Sequence, residues 1–157
     1  MNSDFKDLLR IFAEEGVEFL VVGAYAVIQH TQPRYTKDLD IWVRPSPENA
    51  RKVARAFHRF GVPMIEVTEE DFATDGLQYA VGMPPSQIDF LTSLPGADFA
   101  NAWTDRHIGT VEGLEIPFLG IHQIIAAKTA AGRPQDLADL DELRRAMREW
   151  PPKGQVT

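Results

Sequence analysis

Residues 23–43 read GAYAVIQHTQPRYTKDLDIWV, and the four residues before them, Phe19-Leu20-Val21-Val22, form an apolar run of strand length. A buried strand is expected over 17–22. It ends in Gly23 and passes into a short helical stretch over 24–29, followed by a polar loop over 30–37 that contains Pro33. Residues 38–43 then alternate acidic and apolar side chains, the mark of a half-buried strand. Successive strand side chains point to opposite faces, so Asp38 and Asp40 face one way while Leu39 and Ile41 face the core. Two carboxylates on one strand face repel each other, and a cation relieves that repulsion. Mg²⁺ is held by one or two carboxylates plus substrate phosphates, which makes the pair chemically suitable for it.

An Asp-x-Asp pair taken alone also reads as solvated charge at an exposed strand edge, the ordinary place for acids. Two observations weigh on the other side. Asp89 lies in Gln87-Ile88-Asp89-Phe90-Leu91, a second alternating strand with Ile88 and Phe90 inward, so neighbouring strands would bring three carboxylates to one face. The Val21-Val22-Gly23-Ala24 junction is a strand ending in glycine at a helix start, where free backbone N–H groups favour phosphate. A tight turn also requires glycine for steric reasons alone.

Outward from this segment, Phe5, Leu8, Leu9 and Phe12 recur at helical spacing, in a helix that stops at Gly16. Ser46-Pro47-Glu48 supplies an N-cap, a proline at the first helical position and an acid in the first turn. The helix it starts carries Ala50, Val53, Ala54 and Phe57 on one face and ends near Gly61, and another short helix begins at Thr68. Strands over 77–81 and 87–91 are joined by Gly82-Met83-Pro84-Pro85, which suits an antiparallel pair. Strands over 108–111 and 114–119 make a second hairpin across Glu112-Gly113. Two helices, over 120–131 and 134–148, close the chain, and Leu137, Leu140, Leu143 or Arg144, and Met147 read as a core stripe on the second. The expected class is α+β, a mixed β-sheet flanked by helices, with residues 1–150 as one domain and 151–157 as a disordered tail.

The chain has 157 residues, 44% of them hydrophobic, and no cysteine. Disulfides, cysteine zinc sites and cysteine nucleophiles are excluded. A chain of this length buries about 70% of its unfolded surface and needs no staple. Against 23 acidic side chains stand 16 lysines and arginines, a formal charge of −7 that argues against a general polyanion binder. No apolar run approaches the ~20 residues needed to span a bilayer, and the amphipathic start lacks a signal-peptide core. A cytoplasmic protein without a membrane partner is expected.

The order strand–Gly–helix, loop, Asp38-Leu39-Asp40-Ile41 and a third acid on a later strand resembles the DNA polymerase β-type nucleotidyltransferase superfamily. Val22-Gly23 matches the first half of its signature, and thirteen residues separate Ala24 from Asp38. Ala24 stands where glycine or serine is usual. The run Arg34-Tyr35-Thr36-Lys37-Asp38 is similar to minimal prokaryotic members and to AbiEii-like toxin nucleotidyltransferases, as is Lys128 followed by Arg133-Pro134-Gln135-Asp136-Leu137-Ala138-Asp139-Leu140.

The resemblance implies a nucleotidyltransferase-like fold with a short C-terminal helical extension. It implies transfer of a nucleoside monophosphate from a nucleoside triphosphate, ATP among them, to a hydroxyl acceptor: an RNA, a protein or a small molecule. Asp38, Asp40 and Asp89 would be the catalytic and metal-binding acids for Mg²⁺ or Mn²⁺. Gly23 and Ala24 would hold phosphates through their backbone, and Arg34, Lys37 and Lys128 would place positive charge on the triphosphate. A snorkelling Lys128 is the competing reading. Asp136 and Asp139 read as acids that cap and pair within the last helix. His30, His58, His107 and His122 lack metal-ligand spacing, and Tyr35 is the aromatic placed to stack on a base. Two alternatives remain open: a nucleotidyltransferase-like binding module without turnover, which Ala24 favours, and the toxin of a toxin–antitoxin pair. Antitoxin protein and homodimer are the protein partners left open.

Overall fold

The computed structural model describes residues 1–31, 36 and 38–149. Arg34, Tyr35, Lys37 and the tail 151–157 lie outside the described residues. In chain order the elements are α1 (Ser3–Glu14), β1 (Phe19–Val22), α2 (Gly23–Ile28), β2 (Leu39–Val43), α3 (Pro47–Phe60), α4 (Glu69–Phe72), β3 (Gln78–Val81), β4 (Ile88–Leu91), α5 (Phe99–Thr104), β5 (His107–Val111), β6 (Leu114–Phe118), α6 (Ile121–Ala131) and α7 (Pro134–Arg148). The strands form one sheet in the order β3-β4-β2-β1-β6-β5. β1 pairs antiparallel with β2 and parallel with β6, and β2 pairs parallel with β4. The outer pairs β3–β4 and β5–β6 are the two antiparallel hairpins. The α+β class with a mixed, helix-flanked sheet is therefore borne out.

The alternation in β2 works as expected on one face. Leu39 and Ile41 are fully buried, in register with Ile88 and Phe90 of β4. Phe90 meets Phe57 of α3 at 4.9 Å between ring centroids, Phe12 of α1 at 5.9 Å and Phe72 of α4 at 6.4 Å. Edge-on aromatic pairs of this kind stabilise beyond the area they bury. α3 is set by its ends: the Ser46 hydroxyl accepts the Asn49 N–H at 3.2 Å, and Gly61 closes the helix at φ +88°. Buried Asn49 ties this start to the sheet. Its Oδ1 accepts the Glu18 N–H at 2.8 Å, and its Nδ2 donates to the Glu18 and Arg44 carbonyls at 3.0 Å each.

The other sheet face departs from the half-buried expectation. Trp42, two residues beyond Asp40 on the same face, is buried edge-on against Phe99 of α5 at 5.0 Å. The α5 helix, six residues long, has no periodic apolar signal long enough to reveal it in the sequence. The α7 stripe also needs correction: Leu140 and Leu143 are buried, but Leu137 is 54% and Met147 40% exposed. The buried face of α7 is completed by Asp136 and Asp139 instead. At 15 residues α7 also outruns the 11-residue α6 it packs against, which leaves its end uncovered.

Phe90→Ala removes the ring that α1, α3 and α4 all contact. Denaturant unfolding should show a loss of about 3–5 kcal/mol.

Candidate active site

Strand register assembles the acids. Val22 of β1 lies opposite Asp40 of β2, and Asp40 lies opposite Asp89 of β4. The chain turns from β1 into α2 at Gly23, whose φ of +66° is in the left-handed region. Space excludes a side chain there as well, because a Cβ would collide with the Asp40 carboxylate. Asp40 thus lies across the β1–α2 turn with Asp89 beside it on the next strand. Gln87, on the same strand face, donates from Nε2 to Asp89 Oδ1 at 2.9 Å. Alternation in the sequence places Gln87 beside Asp89, so this orienting contact was open to a reading of that strand. Asp38 is exposed, one residue ahead of β2.

The electrostatics follow from this crowding. The Asp40 carboxyl is pushed up to about 6, first by burial, then by the charges of Asp89 and Asp38 and a hydrogen bond shared with Asp89. The charge of Lys128 opposes the shift. A carboxylate held where it resists ionisation is stabilised by a cation of matching chemistry. Among the described residues no three His, Asp or Glu side chains enclose an ion by themselves. Two adjacent carboxylates nonetheless fit Mg²⁺, which completes its shell with phosphate oxygens and water.

Lys128 reaches this region from α6. Its side chain is 14% exposed, and Nζ lies 2.9 Å from Asp139 Oδ2 and 3.4 Å from Asp136 Oδ1. It does not snorkel into solvent. Arg133 donates to Asp136 three times: Nε to Oδ2 at 2.7 Å, Nη2 to Oδ1 at 3.2 Å, and the backbone N–H to Oδ2 at 3.1 Å. These hydrogen bonds, with Lys128, hold the Asp136 carboxyl down to about 2 against its burial. The pairing expected of Asp136 and Asp139 is present, but it extends across the helix turn to Lys128. Their burial is what the sequence did not reveal. Ala24 is in the first turn of α2, whose N-cap, Val22, provides no side-chain hydrogen bond. His30 pairs with His107 at 5.2 Å between ring centroids, and its pKa is lowered chiefly by burial.

No protein-family model matches the chain, and no curated protein matches it significantly. Solved structures do. One is a Thermotoga maritima protein provisionally identified as a nucleotidyltransferase, with a TM-score of 0.59 and 14% identity over 92% of this chain and 91% of that one. Another is the antibiotic-resistance factor ANT(2'')-Ia, with a TM-score of 0.60 and 16% identity over 94% of this chain and 82% of that one. A third is the lincosamide antibiotic adenylyltransferase LnuA, with a TM-score of 0.54 and 14% identity over 93% and 98%. The chain has the nucleotidyltransferase fold.

Asp40→Asn should stabilise the metal-free protein by on the order of 1–3 kcal/mol at pH 7–8, since it removes a carboxylate that the fold resists ionising. The unfolded Asp40 ionises above about pH 4 and the folded one only above about 6, so the gain is full above pH 6 and vanishes below about pH 4. Thermal melts across that range check it. Gly23→Ala meets both the positive φ and the Asp40 carboxylate, so denaturant unfolding should show a loss of about 1–3 kcal/mol.

Proposed function

We propose that the protein is a metal-dependent nucleotidyltransferase. The observation that carries this reading is the placement of Asp40 and Asp89 side by side across the Gly23 turn, within a nucleotidyltransferase fold. Asp40 and Asp89, with Asp38 at the strand entrance, would hold Mg²⁺ or Mn²⁺. A divalent ion there supplies charge stabilisation at the attacking and leaving oxygens of an in-line displacement. The backbone of Gly23 and Ala24 meets the phosphates at the start of α2. Lys128 adds positive charge from α6, and Arg34 and Lys37 are assigned the same task on the resemblance. Gln87 orients Asp89 through its hydrogen bond. In the reaction, the acceptor oxygen bonds to the α-phosphorus of a nucleoside triphosphate, the bond to pyrophosphate breaks, and the hydroxyl releases its proton.

Among RNA, protein and small-molecule acceptors, a small hydroxylated molecule is favoured by the two neighbours whose names refer to antibiotics. Ala24 supports a second reading, a nucleotide-binding module without turnover, because it offers no side-chain hydroxyl to phosphate.

Labelled nucleoside triphosphates with Mg²⁺ or Mn²⁺, incubated with cell extract or with aminoglycoside and lincosamide acceptors, distinguish the two. Metal-dependent transfer is expected, with Asp40→Ala and Asp89→Ala each reducing it about 10²–10³-fold or more. Metal–nucleotide binding without transfer selects the binding module. Absence of both transfer and calorimetric binding overturns the nucleotidyltransferase reading.

A further inference from the structure

His30 and His107 are far apart in the chain, but the fold brings their imidazoles together, with ring centroids 5.2 Å apart and planes at 55°. His30 follows the end of α2 and stays tied to its last turn, its backbone N–H donating to the Val27 carbonyl at 3.0 Å. His107 opens the edge strand β5, in register with Phe118 of β6. The end of α2 presses on this strand. A Cβ on Gly109, which shares its strand face with His107, would collide with Gln29 Oε1 and the Phe118 ring.

The ring nitrogens suit a metal ion. Leu119 offers only a carbonyl oxygen to His30 Nε2, 3.5 Å away, so the proton of that contact belongs to Nε2 and the lone pair to Nδ1. Metal-binding histidines characteristically give their other N–H to a backbone carbonyl or a similar acceptor. Burial above all, with the neighbouring His107, holds the His30 pKa below its usual value against that hydrogen bond, and the neutral ring is the form a metal needs. Among the described residues His107 makes ring contacts, to His30 and Phe118, and no side-chain hydrogen bond. The separation fits as well. A ring centroid lies roughly 1.2 Å from each nitrogen and a Zn–N bond is about 2.0–2.1 Å, so two imidazoles at a tetrahedral angle have centroids about 5.2 Å apart.

We infer that His30 and His107 form a second cation site, for a divalent transition ion of the Zn²⁺, Ni²⁺ or Cu²⁺ class, held by two imidazoles and completed by water. Imidazole nitrogen suits these ions, whereas Mg²⁺ takes oxygen, so the pair differs in chemistry from the acids at Asp40 and Asp89. Among the described residues no third His, Asp or Glu encloses an ion with them, which makes the site open and exchangeable, unlike a closed structural zinc centre. A bound ion cross-links the end of α2, a helix of six residues, to the β5–β6 hairpin. The site shares no residue with the proposed nucleotidyl-transfer machinery, so it stands or falls on its own.

The test is Zn²⁺ binding to the full chain by calorimetry in excess Mg²⁺, with Cu²⁺ electron paramagnetic resonance to count coordinated imidazole nitrogens. The proteins compared are wild type, His30→Gln, His107→Gln, the double variant, and Asp40→Asn as a control for the acidic site. Wild type and Asp40→Asn should bind Zn²⁺ alike and show two coordinated nitrogens. Each single histidine variant should bind at least about tenfold more weakly, the least that disturbing a metal's surroundings costs, and show one nitrogen fewer. Added Zn²⁺ should raise the melting temperature of wild type and not that of the double variant. His107 is exposed on an edge strand, so His107→Gln keeps the test decisive if His30→Gln unfolds. No Zn²⁺ binding in excess Mg²⁺, or binding that the histidine variants retain in full, overturns the inference. Binding that Asp40→Asn abolishes overturns it too, because the ion then sits at the acids.

Discussion

Asp40 and Asp89 lie side by side across a parallel strand pair, and the Asp40 carboxylate occupies the space that a side chain on Gly23 would need. Like charges at such a spacing oppose folding unless one of them is protonated or a cation is supplied. Much of the surrounding architecture bears on that conflict. β1 must end in a residue without Cβ at positive φ. β2 must lie between β1 and β4. The core on the opposite face must be strong enough to hold the sheet together while its acids repel. The phenylalanine cluster joining α1, α3 and α4 to Phe90 supplies that strength directly behind Asp89, the neighbouring residue on the same strand.

The acid-bearing face is covered differently. Trp42 and Phe99 close it on one side with an aromatic contact, and the α6–α7 hairpin brings up a second set of charges on another. There Lys128 and Arg133 balance Asp136 and Asp139, the buried carboxylates of α7. Buried pairs of this kind add little net stability over an apolar core.

Much of this was legible in the chain. The alternation of Asp38-Leu39-Asp40-Ile41 and of Ile88-Asp89-Phe90 assigned each side chain to a face, because strand periodicity is local. Ser46-Pro47 and Gly61 marked the ends of α3 for the same reason. Less visible were elements whose burial comes from partners distant in sequence. α5 is too short to show a period, Trp42 is covered only once α5 arrives, and the buried face of α7 runs through Asp136, Asp139, Leu140 and Leu143, which turns Leu137 away from it.

The sequence by itself determined which acids share a face, that Gly23 must be a glycine at a strand–helix turn, and that the class is α+β. Backbone sterics and the two-residue strand repeat dictate these without long-range contacts. Only the tertiary structure decided that β4 lies next to β2, which puts Asp89 in register with Asp40. That choice depends on the strand order β3-β4-β2-β1-β6-β5, which the pooled packing of the sheet selects. It also decided the fate of Lys128. A lysine on an apolar helix reads equally as snorkelling or functional until the facing helix shows two buried carboxylates waiting for it.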